Sequence, residues 1–263
     1  MNLSRVKANI KRSVKKILIP ARTKVFFIHI PKTGGTSIDY VVRNKYRSQY
    51  SRIEAAPSHQ TALMLEGKKD DEDVEMQSTL KMRSQIALYE MFKETSFISG
   101  HVPFDFNTWK AFQDRYLYIT CLRNPVKRYL SQYFYNYYKE SQHRKINVDL
   151  PTYITMPIGQ HEGSIYVKFL GGISAEKDYT STEAIARAKE NLSKFDTIAF
   201  LEKLDLFTAE FAVKTGIKIT IPHKRKNPVA KPEVDKDILA KIETICAPDL
   251  EIYEYARKKY LNQ

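Results

Sequence analysis

The chain has 263 residues, and its 43 Lys plus Arg against 30 Asp plus Glu give a formal net charge of +13. This length suits one large domain or two small ones, and 43% hydrophobic residues can build a substantial core, which excludes an intrinsically disordered tail. Two cysteines exclude a disulfide scaffold and a cysteine-based zinc site. The apolar runs are far shorter than the ~18–20 residues of a transmembrane helix.

The first 24 residues carry eight of the basic side chains and no acid, which leaves +5 for the rest of the chain. Apolar residues recur there at helical spacing, at Val6, Ile10, Val14 and Ile17. We therefore predict a basic amphipathic arm over 1–23 and one domain over 24–263. The arm either contacts an anionic membrane surface or is a solvated helix that leads into the domain. Because it lacks the apolar segment of a secretory signal, the predicted location is cytoplasmic, with peripheral contact at the inner face of a membrane as an option.

From residue 24 onward, short β-rich runs alternate with helical stretches, which predicts an α/β fold with a largely parallel sheet flanked by helices. The predicted strands are 24–30, 96–99, 116–122 and 196–201. The predicted helices are 36–47, 80–92, 125–139, 181–194, 204–215, 236–245 and 249–260. The charged run 66–75 is predicted to be a solvated loop.

The first strand delivers the sequence PKTGGTS into the start of a helix. Gly34 and Gly35 let the backbone turn tightly, so that its N–H groups can approach an anion at the positive end of the helix. Thr36 and Ser37 add hydroxyl donors, and Lys32 adds an ammonium group. The segment is not a Walker A loop, because the lysine precedes the glycines instead of following them. It predicts a phosphate site; the alternative is an ordinary strand–helix turn.

A second strand–helix junction lies at 116–135. Asn124 can cap the helix, and Pro125 suits its first position. Arg123, at the carboxyl end of the strand, would point into the crevice where open α/β sheets bind ligands. Arg128 and Ser131 share a helix face and could join it in a second phosphate site. The aromatic continuation 129–138 is interpreted as core and groove wall.

Six histidines are present. His101 follows a short strand and Gly100, and an ordinary pKa near ~6.5 suits a general base. His29 is interpreted as a structural histidine within the first strand. The remaining four lie in polar stretches without an identifiable partner: His59, His143, His161 and His223.

These segments resemble the carbohydrate sulfotransferases that use 3′-phosphoadenosine 5′-phosphosulfate (PAPS), and among them the group that includes heparan sulfate 2-O-sulfotransferase and its bacterial relatives. The resemblance rests on HIPKTGGTS, on SGHVPF at 99–104 and on RNPVKRYLSQY. Two weaker matches are FDTIAFLEKLD at 195–205 and KRKNP at 224–228.

The resemblance implies a central parallel sheet like that of P-loop kinases, and it assigns roles to single residues. Those implied to hold the 5′-phosphosulfate are Lys32, Thr33, Gly34, Gly35, Thr36 and Ser37. Arg123 and Ser131 would bind the 3′-phosphate, which distinguishes this donor from ATP. A basic loop would cover the 3′-phosphate and the adenine: Lys224, Arg225, Lys226 and Asn227. His101 would be the base, although Ser99 stands where the family has the first histidine of an H-x-H pair.

The activity implied is in-line transfer of a sulfuryl group from PAPS to an acceptor hydroxyl, which leaves 3′,5′-bisphosphoadenosine. His101 would take the proton and Lys32 would stabilise charge on the departing phosphate, with no metal. The expected acceptor is a carbohydrate or another hydroxyl compound, and Trp109 and Tyr133 are candidates to stack on sugar rings. Nucleic acid is not an expected partner.

Two alternatives stay open from the sequence. The first is a non-catalytic protein that binds polyanions, such as nucleic acid or acidic polysaccharide. It would explain the net positive charge but not the two predicted phosphate sites at strand ends. A nucleotide kinase is disfavoured by the position of Lys32 relative to the glycines.

Overall fold

A computed structural model describes residues 24–68, 72–141, 144–172, 178–222 and 232–261. The arm over 1–23 and the basic loop 224–227 lie outside the described residues, so both stay predictions. Of the helices described, none combines the length with the apolar composition that crossing a membrane requires.

The described strands form one parallel five-stranded sheet with the order β2-β3-β1-β4-β5. The strands are β1 (Lys24–Ile28), β2 (Tyr50–Ile53), β3 (Phe97–Gly100), β4 (Tyr116–Leu122) and β5 (Thr197–Phe200). Strand β1 is central, and its last residue, Ile28, lies opposite Gly100 of β3 and Thr120 of β4. The carboxyl ends of these three strands therefore share one edge, at the point where the strand order reverses and open α/β sheets bind their ligands.

Helices cover both faces of the sheet. They are α1 (Gly35–Tyr46), α2 (Ala55–Glu66), α3 (Glu72–Phe92), α4 (Phe106–Phe112), α5 (Pro125–Tyr138), α6 (Leu150–Tyr153), α7 (Pro157–His161), α8 (Ile165–Gly171), α9 (Thr182–Leu192), α10 (Leu204–Thr215), α11 (Lys236–Ile245) and α12 (Ala247–Tyr260). A short 3₁₀ turn, Glu162–Ser164, separates α7 from α8.

The core follows the two-residue period of the strands. In β1, Val25 and Phe27 pack on one face with α1 and α10, whereas Phe26 and Ile28 pack on the other with α3, α8, α9 and α12. Alternate side chains of a strand point to opposite faces, so a strand that is apolar throughout must be covered on both sides. This three-layer arrangement confirms the predicted α/β fold with a parallel sheet.

Several predicted elements are confirmed within two residues at each end, among them β1, α1, β4, α5 and α9. The edge strand β2 is missing from the prediction because only one of its four residues is buried, so it carries no apolar run. The helices α2, α4 and α6–α8 are also missing from it. The solvated loop predicted over 66–75 is wrong in its second half, because α3 begins at Glu72.

Candidate functional site

The loop between β1 and α1, residues 29–34, which we call the anion loop, leads into an uncapped helix N-terminus. Gly34 precedes the helix with φ +87°, the left-handed conformation that glycine adopts without strain, and no described side chain caps α1. Lys32 also has a positive φ, 66°, which is uncommon for a residue with a side chain. The first-turn N–H groups of α1 therefore lack the usual side-chain acceptor, which suits the binding of an anion.

Three hydrogen bonds hold this loop. The Thr33 hydroxyl donates to the carbonyl of Ile30 over 2.9 Å, the Cys121 thiol donates to the carbonyl of Thr33 over 3.1 Å, and Nη1 of Arg123 donates to the carbonyl of Lys32 over 3.2 Å. Two of the donors belong to β4 and its end, so the loops after β1 and β4 are tied together. Thr33 is fully buried, and its hydroxyl is used inside the loop, so this residue holds the shape of the loop.

The ammonium group of Lys32 lies 3.6 Å from the centre of the Tyr135 ring, in a cation–π contact. Tyr129, Tyr133 and Phe134 are buried in the core, as the sequence predicts, whereas Tyr135, Tyr137 and Tyr138 are exposed on α5. Burial of Tyr133 makes its predicted stacking on a sugar ring wrong, since its ring packs inside and its hydroxyl donates to the carbonyl of Val148.

His101 and His29 lie side by side. The sequence places His29 within the first strand, whereas β1 ends at Ile28 and the imidazole of His29 lies 4.6 Å from that of His101, measured between ring centres. Nδ1 of His101 is 2.5 Å from the carbonyl oxygen of His29. A second histidine does reach the predicted base, but it comes from the loop after β1 and not from position 99.

The contact between the two residues fixes the tautomer of His101. A carbonyl oxygen only accepts hydrogen bonds, so Nδ1 carries the proton and Nε2 keeps its lone pair. Burial lowers the pKa of His101, and the hydrogen bond to His29 opposes that effect only in part. Burial, and then the neighbouring charges of His101, Arg52 and Lys32, hold the pKa of His29 well below its ordinary value. His101 is therefore a neutral imidazole at neutral pH, able to accept a proton.

A small polar pocket of about 60 Å³ lies beside the two histidines. Its polar lining includes Asp39, Arg52 and Ser99. The Ser99 hydroxyl donates to the buried carboxylate of Asp39, and Nε of Arg52 lies 4.0 Å from the other carboxylate oxygen. Sequence reasoning missed Asp39 and Arg52. For Asp39 a signal was available, because it is an acidic residue one turn into a helix on the face that packs against the core.

Arg83, which sequence reasoning also missed, contacts the backbone of His101. Its guanidinium donates to the carbonyl of His101 over 3.4 Å, to the Ser58 hydroxyl over 2.9 Å and to the carbonyl of Ala55 over 3.3 Å. Burial lowers the pKa of Arg83 to about 10, so the side chain keeps its charge at neutral pH. Arg83 thereby joins the loop after β3 to α2.

Arg123 lies at the end of β4, as predicted, and the side chain of Asn124 caps α5 by accepting from the N–H of Lys127 over 3.1 Å. The N–H of Asn124 donates to the carboxylate of Glu202 over 3.3 Å, which brings an acid close to the arginine. Ser131 is half-buried on α5, about two turns from this end.

The predicted participation of Arg128 in a phosphate site is wrong. Its side chain is fully buried and forms an ion pair with Glu162, with Nη1 and Oε2 separated by 3.2 Å. It also donates to the backbone carbonyl of Glu162. A guanidinium consumed by an internal pair is not available to a ligand, so Arg128 stabilises the fold.

Among the other histidines, His59 does have partners: Nδ1 lies 3.0 Å from the Thr79 hydroxyl, and Nε2 lies 3.5 Å from Glu75. His161 is exposed at the end of α7, whereas His143 and His223 fall outside the described residues.

The site thus brings Lys32 with the α1 N-terminus, Arg123 and His101 to the ends of three adjacent strands. A family model described as the sulfotransferase family matches residues 15–256. The chain belongs to the sulfotransferase family. A comparison with curated proteins finds no significant match. Family membership confirms the predicted class of activity, which is transfer of a sulfuryl group to a hydroxyl-bearing acceptor.

Proposed function

We propose that this sulfotransferase moves the sulfuryl group of PAPS to a hydroxyl of a carbohydrate, with His101 as the general base. The observation that carries the proposal is the order of three groups along one edge of the sheet. His101 follows β3, the anion loop with Lys32 follows β1, and Arg123 follows β4, while β1 lies between the other two strands.

The donor carries anionic groups at two separate places, and the protein offers two matching sites. The N–H groups at the start of α1 and the Lys32 ammonium suit the phosphosulfate, because a helix N-terminus and a cation both favour negative charge. Arg123, with the Ser131 hydroxyl further along α5, suits the 3′-phosphate, which a guanidinium can bind through two hydrogen bonds. Since β1 and β4 are neighbours, one nucleotide can span both sites.

The acceptor then enters from the side of β3. With the 3′-phosphate held at β4 and the phosphosulfate at β1, the sulfur is approached from the side on which His101 lies. In-line displacement needs the attacking oxygen opposite the leaving phosphate, and this strand order supports that placement.

In the chemical step, Nε2 of His101 accepts the proton of the acceptor hydroxyl while the hydroxyl oxygen forms its bond to sulfur. The bond between sulfur and the phosphate oxygen breaks at the same time, and its electrons stay on the phosphate. Lys32 and the α1 N–H groups stabilise that developing charge, which is the kind of electrostatic contribution that catalytic sites supply most effectively.

The lining of the pocket supports a polyhydroxylated acceptor. Asp39, Arg52, Glu54 and Ser99 offer hydrogen-bonding groups around the histidine pair, which suits sugar hydroxyls better than an apolar alcohol. Trp109 packs on Phe104 and Phe106 and does not line this pocket, so the preference for carbohydrate is supported by the polar lining alone.

The test is to offer labelled PAPS with a panel of glycans and small hydroxyl compounds and to identify the labelled product. We expect transfer to a glycan, loss of transfer in His101→Gln with binding of 3′,5′-bisphosphoadenosine retained, and normal transfer in the surface control His161→Gln. If the wild-type protein neither transfers label nor binds 3′,5′-bisphosphoadenosine, the proposal is wrong. Salt-sensitive binding to generic polyanions in that case would favour a non-catalytic polyanion-binding protein.

A further inference from the structure

Tyr166, on α8, has a fully buried side chain whose hydroxyl contacts the backbone of Arg123 twice. It accepts a hydrogen bond from the N–H of Arg123 over 2.9 Å and donates one to the carbonyl of Arg123 over 2.6 Å. Arg123 lies between the end of β4 and the start of α5, where neither strand nor helix pairs its backbone groups. One hydroxyl thus satisfies both polar groups of this connecting residue.

Tyr166 is itself held in place by the neighbouring helix α12. The buried carboxylate of Asp249, on α12, accepts from the N–H of Tyr166 over 2.8 Å and from the N–H of Val167 over 3.2 Å. The tyrosine is therefore fixed at its backbone by α12 and at its hydroxyl by Arg123, so it has little freedom to move away from the strand end.

The position of Arg123 matters at both ends of the donor site. Its guanidinium donates to the carbonyl of Lys32, so the arginine also supports the loop that carries the phosphosulfate group. A shift of the Arg123 backbone would move the guanidinium away from the 3′-phosphate and would weaken the link between the loops.

We propose that Tyr166 is a positioning residue that fixes Arg123 for recognition of the 3′-phosphate, and so determines the preference for a 3′-phosphorylated nucleotide. This inference rests on the proposed function, because it takes Arg123 as the ligand of that phosphate. Tyr166 touches no substrate: it acts through the arginine.

The test is Tyr166→Phe, which removes one oxygen atom and keeps the ring. The readout is the ratio of the affinities for 3′,5′-bisphosphoadenosine and adenosine 5′-monophosphate, both measured by calorimetry. We expect the preference for the bisphosphate to fall by about 10-fold, because both backbone groups of Arg123 then lack their buried hydrogen-bond partner and the residue can shift. Because both nucleotides bind the same folded fraction, partial unfolding cancels in the ratio.

A matched control is Tyr116→Phe. Tyr116 is also fully buried, and its hydroxyl also donates to a backbone carbonyl, that of Thr95 over 2.7 Å, but it lies at the opposite end of β4. We expect Tyr116→Phe to leave the ratio unchanged. Arg123→Ala should abolish the preference, and adding Tyr166→Phe to it should have no further effect, because the arginine through which the tyrosine acts is gone.

The outcomes separate the two proposals. If Arg123→Ala abolishes the preference and Tyr166→Phe does not reduce it, Tyr166 has no positioning role, while the proposed function stands. If Tyr166→Phe weakens both nucleotides equally, its role is general stability and the inference is overturned. If the wild-type protein shows no preference for the 3′-phosphate, the PAPS assignment fails and the inference fails with it.

Discussion

Replacement of Gly35 by alanine tests whether the anion loop and the histidine pair form one packed unit. Gly35 is the first residue of α1 and packs closely against the imidazole of His29. A Cβ atom added there would lie 2.3 Å from Cδ2 of His29, 2.6 Å from its Nε2 and 2.9 Å from the Phe27 ring. Distances under 3.0 Å are not tolerated, so either the ring or the helix must move.

The size of the movement follows from these distances. Ordinary contact begins near 3.4 Å, so the His29 ring must retreat by about 1.1 Å (3.4 minus 2.3), or α1 must move by that amount. His29 is stacked on Phe27 with ring centres 5.3 Å apart and lies against His101, so its retreat displaces the proposed base. Overpacking of this kind costs about 1–3 kcal/mol of stability, and a misplacement near 1 Å lowers turnover by about 100-fold.

The assay compares Gly35→Ala with Gly171→Ala in kcat/KM for the acceptor found with labelled PAPS and in thermal unfolding. Gly171 is a sound control because a Cβ there meets nothing closer than 3.8 Å. For Gly35→Ala we expect the loss of turnover together with a melting temperature lowered by about 2–4 °C per kcal/mol. If Gly35→Ala keeps the turnover of Gly171→Ala, the loop and the histidines are not one unit and the placement of the base is refuted.

Three further results are expected at the same site. His101→Gln should lower kcat by about 10²–10⁴-fold while 3′,5′-bisphosphoadenosine still binds, and a loss of nucleotide binding of similar size would contradict a role confined to the proton. Burial places the pKa of His101 below its ordinary value of 6.5, so kcat/KM should rise with pH along an acid limb centred below 6.5 and be level near neutrality; a limb centred above 6.5 in the pH–rate profile would mean that the base is not this imidazole. Tyr135→Leu should weaken the binding of 3′,5′-bisphosphoadenosine by about 2–5-fold, because the ring that orders the Lys32 ammonium is lost. Tyr135→Phe keeps the aromatic face and should bind as the wild type does. Equal effects of the two variants in calorimetry would exclude the cation–π contact as the cause.

The centre of the fold could be predicted from the sequence because its signals are local. In β1 and β4 nearly every side chain is buried, so both strands appear as continuous apolar runs. The signal for the start of α5 is equally local. The side chain of Asn124 accepts a hydrogen bond from the N–H three residues further along, and Pro125 occupies the first turn. The anion loop between β1 and α1 follows from the same kind of short-range pattern.

The contacts that complete the site are not local and could not be predicted in this way. His29 and His101 are 72 residues apart, and they meet only because β3 pairs with β1 although β2 and three helices intervene in the chain. For Arg128 the local pattern predicted a role that a distant contact rules out. Its position on the same helix face as Ser131 predicted a phosphate ligand, but Glu162, 34 residues further along the chain, pairs with it in the interior.

The same distinction divides the site by function. On the donor side, Lys32 holds a left-handed conformation that costs about 1–3 kcal/mol, and bonds from Cys121 and Arg123 maintain it, so the anion loop is formed before a ligand arrives. On the proposed acceptor side, the pocket is lined by Arg52 of the edge strand β2 and by the start of α2, and that arginine is exposed. Under the proposed function, sulfuryl transfer therefore depends on the buried centre of the sheet, where short motifs specify the structure. Under the proposed function, the choice of acceptor depends on the edge strand, where Arg52 is exposed, and substitutions at Arg52 should change which acceptor is used without changing which nucleotide binds.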